Sequence, residues 1–187
     1  MPMPELPDLA TLSLADIAQV VADKSLPPVA SWNPTRCGDS EMRIAADGTW
    51  YHQGSPITRP SMVKLFSTIL RREADCGYVL VTPAEKLDII VEDAPFLAVE
   101  VKVDGVGEAR TLTFRLNSDD LVIAGPDHPL RFEEKVDGPH PYVMVRGGME
   151  ALLARPVYYE LAHLALDDGL EPPGLWSGGM FFPLAPA

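Results

Sequence analysis

Residues 37–60 read CGDSEMRIAADGTWYHQGSPITRP. Met-Arg-Ile-Ala-Ala leads up to Asp47-Gly48, and Thr-Trp-Tyr-His-Gln leads away from it. Strand formers on both sides of an Asp-Gly pair predict a β-hairpin, because the glycine supplies the positive φ that a tight turn needs. Gly54-Ser55-Pro56 is expected to break the second strand. Working outward, RPSMVKLFSTILRRE (59–73) sets Met62, Leu65, Phe66, Ile69 and Leu70 on one helical face. Pro60 is tolerated in the first turn, so the whole stretch is expected to be a helix. GYVLVT (77–82), KLDIIVE (86–92) and FLAVEVKV (96–103) then read as strands, with turns at 82–85 and 93–95.

Upstream, three prolines in the first dozen residues predict a loose arm. SLADIAQVVADK (13–24) follows, with Ser13 and Asp16 in capping-box spacing and apolar residues at helical intervals. Downstream, TLTFRLN (111–117), DLVIAG (120–125), LRFEEK (130–135) and PYVMV (141–145) read as strands. A helix is expected from Met149 to Ala165, kinked at Pro156. The last stretch is rich in Pro and Gly, but Leu175, Trp176, Met180, Phe181 and Phe182 are too apolar for a free tail and should pack back on the body.

The halves echo each other. RIAADGTWYHQGSPI parallels RLNSDDLVIAGPDHPL, RPSMVKLFSTIL parallels RPVYYELAHLAL, and YVLV parallels YVMV, although the helix changes its place in the order. The expectation is an α+β chain of two related small domains, mostly antiparallel sheets with one main helix each. The expected divisions are an arm and helix over 1–30, a first domain over 31–105 and a second over 106–187. Chance recurrence of short apolar words is the alternative to duplication.

Hydrophobic residues make up 47% of the chain and charged residues 22%, ordinary globular proportions. A formal net charge of −12 argues against a DNA or RNA polymer or an anionic membrane surface as partner, yet leaves room for a small anion held by local arginines. No apolar run is long enough to cross a bilayer, and the start lacks the basic and apolar regions of a secretory signal. Cys37 and Cys76 are expected to be free thiols of a cytoplasmic protein.

His52, His128, His140 and His163 show no metal-ligand spacing and no CxxC accompanies them, so neither a metal nor a cofactor is expected. GxSxG and the phosphate-cradling glycine motifs are absent too. The richest polar stretch is the opening one. Arg43, Asp47, Trp50, His52 and Arg59 surround its turn, with Trp50 and His52 expected on one strand face. Arg59 and Arg155 begin helices, where positive charge opposes the dipole unless a carboxylate or bound anion compensates. Thr82, Glu85 and Lys86 form a second polar turn, and His128, Arg131, Tyr142 and Arg146 a third group. Arginine forks suit phosphate or carboxylate, and Trp or Tyr faces suit a base.

CGDSEMRIAADGTWYHQGSPITRPSMVKLFSTILRRE, YVLVTPAEKLDIIVEDAPF, NSDDLVIAGPDHPLRF, PYVMVRGGMEALLARPVYYEL and WSGGMFFPL together resemble the bacterial family called domain of unknown function 1285, over about Trp32 to Leu184. Mild departures lie at Ser40-Glu41 and at 147–149. The resemblance implies a duplicated α+β fold whose C-terminal part is superficially like a pleckstrin-homology barrel capped by its helix. It also implies a nucleotide-like ligand between the domains and a role in signal transduction, with no activity to carry over. Three readings follow: a non-enzymatic sensor of a small anionic ligand, a protein-interaction module, and a hydrolase-like enzyme using His52 or His128 as base beside Asp47 or Glu85.

Overall fold

The computed structural model describes residues 8–184, so the first part of the expected arm lies outside the described residues. A 3-10 turn, Leu9–Thr11, leads to helix α1 (Leu14–Asp23), and a second turn spans Val29–Ser31. The capping box forms as expected: Asp16 N–H donates to the Ser13 hydroxyl, and Ser13 N–H donates to the Asp16 carboxylate. These bonds satisfy backbone donors that the first turn leaves without helical partners.

The first sheet contains β1 (Arg36–Ile44), β2 (Trp50–His52), β3 (Ser55–Pro56), β4 (Leu70–Arg72), β5 (Tyr78–Val81) and β6 (Glu85–Val91), with helix α2 (Pro60–Thr68) between β3 and β4. The second contains β7 (Phe96–Asp104), β8 (Thr111–Leu116), β9 (Leu121–Ile123), β10 (Leu130–Lys135), β11 (Gly138–Arg146) and β12 (Met149–Leu153). Helix α3 (Arg155–Asp168) and a hairpin of β13 (Gly174–Ser177) and β14 (Met180–Pro183) follow.

Strand order is β3-β2-β1-β6-β5-β4 in one sheet and β9-β8-β7-β12-β11-β10 in the other. In both, the first and sixth strands pair in parallel at the centre, and the remaining pairs are antiparallel. The duplication is therefore one of topology. YVLV and YVMV fall on the equivalent strands β5 and β11. The longer echo is one strand out of step, since it sets β1 to β3 against β8 and β9. The helical echo is not an equivalence either: Leu65 on α2 is 62% exposed, whereas Leu161 on α3 is wholly buried.

Several expected boundaries move. The helix expected over 59–73 stops at Thr68, because Leu70 is needed as the partner of Leu80 on β5 and is buried there. The expected start of the second helix, Met149–Leu153, is strand β12, and its burial alternates with period two. Gly147 and Gly148, at φ 56° and 75°, turn the chain from β11 into it. These left-handed angles suit glycine, which has no Cβ to collide with its own carbonyl. Pro156 then sits in the opening turn of α3 and causes no kink.

The opening hairpin forms with a different turn. Ile44 pairs with Trp50 across a five-residue loop, 45–49, in which only Gly48 has a positive φ, 86°. The tight turn is Gln53-Gly54, at φ 49° and 80°, which joins His52 to Ser55 where a break was expected. Strand pairing also places β7 in the second sheet, so the changeover between sheets lies near 92–95, ahead of the expected division at 105.

β9 and β10 are the outer strands of their sheet, yet residues 124–129 alone connect them, and Gly125 and His128 bond to each other within that link. Six flat strands would span roughly 24 Å, more than so short a folded link covers, so the sheet curls. The buried residues form one core across both sheets, with Ile44, Trp50 and Leu80 continuous with Phe96, Phe114 and Leu161. The C-terminal stretch packs back, as its composition predicts: Leu175 and Phe182 are buried. Ser177 Oγ accepts from Leu112 N–H at 2.9 Å and donates to the Ala124 carbonyl at 2.8 Å. Cys37 and Cys76 are free and exposed, and no helix of the described residues is long and apolar enough to cross a membrane.

Candidate site at the junction of the two sheets

Where β4 of the first sheet meets the β11–β12 turn of the second, a cleft of about 640 Å³ opens, with residues 29–33 of the arm as its third wall. Three guanidinium groups and one carboxylate, Glu73, line it. Arg71 is committed to architecture: it donates to the carbonyls of Val29 and Trp32 at 2.8 and 2.7 Å and to Glu73 at 2.7 Å, strapping the arm to β4. Arg72 is exposed and gives one donor to the Gly148 carbonyl at 2.8 Å, which crosses from first sheet to second.

Arg146 donates to the Ser67 carbonyl at 3.0 Å, lies 3.5 Å from Asp120, and sits 5.0 Å from the Phe96 ring centre. Burial holds its pKa below the ordinary arginine value. Desolvation penalises a charge that an anion would relieve. Lys24 of the segment after α1 reaches the same buried Asp120, so the arm also has an ionic anchor beside the cleft.

Arg72 also borders a second cleft of about 360 Å³. There Arg131 makes a two-pronged ion pair with Glu150, at 3.0 and 2.8 Å, and lies 4.5 Å over the Tyr142 ring. The Tyr142 hydroxyl donates to Asp93 at 2.6 Å and accepts from Lys135 at 2.8 Å. Burial, and then the Asp93 contact, push its pKa up to about 12, so it is a donor and not a base at neutral pH. Three cations face three carboxylates in this cleft, and Arg131 and Lys135 are already paired with Glu133, Glu150 and Asp93.

The residues singled out from sequence are thus divided. Arg146 lines the first cleft, Arg131 and Tyr142 the second, and Asp47 a third described below. Arg43 pairs with Glu92 at 2.6 Å and covers the Tyr51 ring. Trp50 is 2% exposed and stacks on Phe66 in the core, so it offers no face to a ligand. His52, at the end of β2, is exposed, as is Arg59 at the start of α2, and neither lines the three clefts. Thr82 accepts from the amides of Ala84 and Glu85, as a hairpin loop requires, while Glu85 faces Arg36 and Lys86 faces Glu73.

His128 Nδ1 lies 3.0 Å from the Met144 carbonyl, and among the described residues neither histidine offered as a general base is bonded to Asp47 or Glu85. Among the described residues no group of His, Cys, Asp and Glu is arranged to hold a metal ion. Arg71 and Arg72 escaped the sequence reading because they looked like the solvent end of a long helix. Only the pairing of β4 with β5 turns them toward the junction.

The model of the N-terminal domain of a domain of unknown function, DUF1285, matches residues 27–94, and the model of the C-terminal domain matches residues 95–184. The chain belongs to the DUF1285 family. The two DUF1285 domain models meet where the strand pairing passes from one sheet to the other. A crystal structure of a DUF1285 family protein from Silicibacter pomeroyi DSS-3 is similar at 47% identity and a TM-score of 0.81, covering 93% of this chain and 95% of that one. Another, from Shewanella baltica OS155, is similar at 27% identity and a TM-score of 0.52, covering 66% of this chain and 91% of that one. No match was found among curated proteins.

Proposed function

We propose that this DUF1285 protein is a cytoplasmic, non-enzymatic sensor that binds a small anionic, nucleotide-like ligand in the junction cleft, in the service of signal transduction. The observation that carries this reading is local charge. In a chain of net charge −12, three arginines and a single carboxylate line one concave site. Arg146 supplies a partly desolvated cation, Arg72 an exposed fork with free donors, and Trp32 a half-buried ring. Planar guanidinium groups match phosphate or carboxylate oxygens, and an indole face suits a base. Arg72 and Arg146 belong to different sheets, so an anion held by both would add a bond across the junction. That added bond is the physical basis of a signal.

Thermal unfolding with inorganic phosphate, mononucleotides and signalling dinucleotides tests the reading. A ligand at about a hundred times its Kd stabilises the native state by roughly 2.7 kcal/mol, a clear rise in Tm. One class of anion should raise Tm, and Arg72→Ala should abolish the response while lowering the ligand-free Tm by no more than about 2–4 °C, the cost of its bond to Gly148. Silence across the panel, or a variant that responds like the parent, would overturn it.

A further inference from the structure

On the far side of Asp93 a third cleft, of about 560 Å³, lies between the β1–β2 loop, the β10–β11 hairpin and the start of α3. Its walls are mostly apolar, formed by Leu97, Leu152, Pro139 and Pro141 together with Tyr158 and Tyr159. The two tyrosine rings lie 6.0 Å apart, and Tyr159 is 54% exposed. The loop that carries Asp47 is pinned. Asn117 donates to the Gly48 carbonyl at 3.3 Å and accepts from Leu97 N–H at 3.1 Å. A Cβ on Gly48 would come within 3.1 Å of Asn117.

The charged groups that line this cleft differ in how far they are already used. Asp93 is engaged by Tyr142, Lys135 and His140. His140 is engaged at both ring nitrogens, 3.2 Å from Asp93 and 2.9 Å from Asp137. Asp47 bonds only within its own loop, to Thr49, and Asp137 reaches only His140 and its own backbone amide. Arg155 has no ion pair or side-chain hydrogen bond among the described residues. Arg155 and Asp137 both line the cleft, and the Asp137 carboxyl is held below the usual range first by its own backbone amide, then by His140, and lastly by Arg155.

An apolar cleft with uncommitted charge of both signs is matched poorly by a simple ion. A monoanion would approach Asp47 and Asp137, a monocation would approach Arg155, and a neutral apolar body would desolvate both signs without pairing either. A zwitterion with an apolar body satisfies all three surfaces at once. We propose that this cleft binds an α-amino acid with a large apolar or aromatic side chain, its carboxylate on Arg155, its ammonium on Asp47 and its side chain against Tyr158 and Tyr159. This site is separate from the anion cleft and stands or falls independently of it.

Isothermal titration calorimetry with L-phenylalanine and L-leucine tests the assignment, with phenethylamine and 3-phenylpropionate as analogues that each keep one charge. L-phenylalanine should bind, and each analogue should bind at least about tenfold more weakly, the loss expected for one charge-assisted hydrogen bond. Arg155→Gln and Asp47→Asn change exposed side chains, so both should fold with a parental Tm and lose affinity to a similar degree. Arg72→Ala should bind L-phenylalanine normally. No heat with either amino acid, an analogue that binds as tightly as L-phenylalanine, or folded Arg155→Gln and Asp47→Asn variants with parental affinity would each overturn the proposal.

Discussion

Arg110 is 3% exposed, and its guanidinium forks onto Asp168 in the last turn of α3. An aspartate there opposes the helix dipole. The structure shows the compensating cation, which arrives from 58 residues upstream. Breaking a largely buried pair leaves a charge without its partner, but Asp168 keeps some contact with water. Asp168→Asn should therefore cost about 2 kcal/mol in urea unfolding at neutral pH, below the full penalty for a wholly buried pair. The Arg110 hydrogen bond lowers the Asp168 pKa from its ordinary 3.8. A lowered folded-state value means stability that is present above 3.8 and lost as pH falls through the folded value. The variant should accordingly lose less stability than the parent on acidification.

The β10–β11 hairpin shows the same logic at the scale of an element. Tyr142 on β11 and Lys135 on β10 close on Asp93, which follows β6, so one tyrosine hydroxyl ties the hairpin to the end of the first sheet. The folded pKa of Tyr142 rises from 10.0 to about 12, so the native state holds this proton more tightly than the unfolded chain does. Its contribution is complete below pH 10, and alkali removes it between 10 and about 12. Tyr142→Phe should lower stability by about 1 kcal/mol at pH 8 through the lost hydrogen bonds. It should also flatten the alkaline loss, which urea midpoints measured across that range would show. The element itself was partly legible. Strand-forming residues over 130–135 and 141–145 marked both strands. Residues 149–153 misled, because Met-Glu-Ala-Leu-Leu is a good helical composition and its strand state comes from pairing with β11 and β7.

For the whole molecule, the decisive feature is that one core runs through both topological copies. Buried residues of β1, β2 and β5 join those of β7, β8 and α3 in one packed cluster. The two family domains should therefore unfold together. Calorimetry should give a single transition whose van't Hoff and calorimetric enthalpies agree. Two resolved transitions would mean that each sheet holds its own stability. The clefts lie at the rim of this shared core, where the arm, the β1–β2 loop and the hairpin turns meet.

Local features were legible in the chain: the capping box at Ser13, the hairpin after Met42, the main strands and the apolar tail, and their order suggested the paired α+β plan. The cap, the hairpin and the strands depend on neighbours a few residues apart, through turn chemistry or side-chain pattern. Where α2 ends, that 149–153 is a strand, and which arginines reach the junction emerged only from long-range packing. Those outcomes depend on partners far along the chain. Leu80 recruits Leu70 into a sheet, Phe96 and Val143 hold Ala151, and Glu92 takes Arg43 out of contention while Arg72 and Arg146 are left facing one cleft. Spacing along a chain cannot specify which of several like charges will find a carboxylate, because that is settled by strand register and burial.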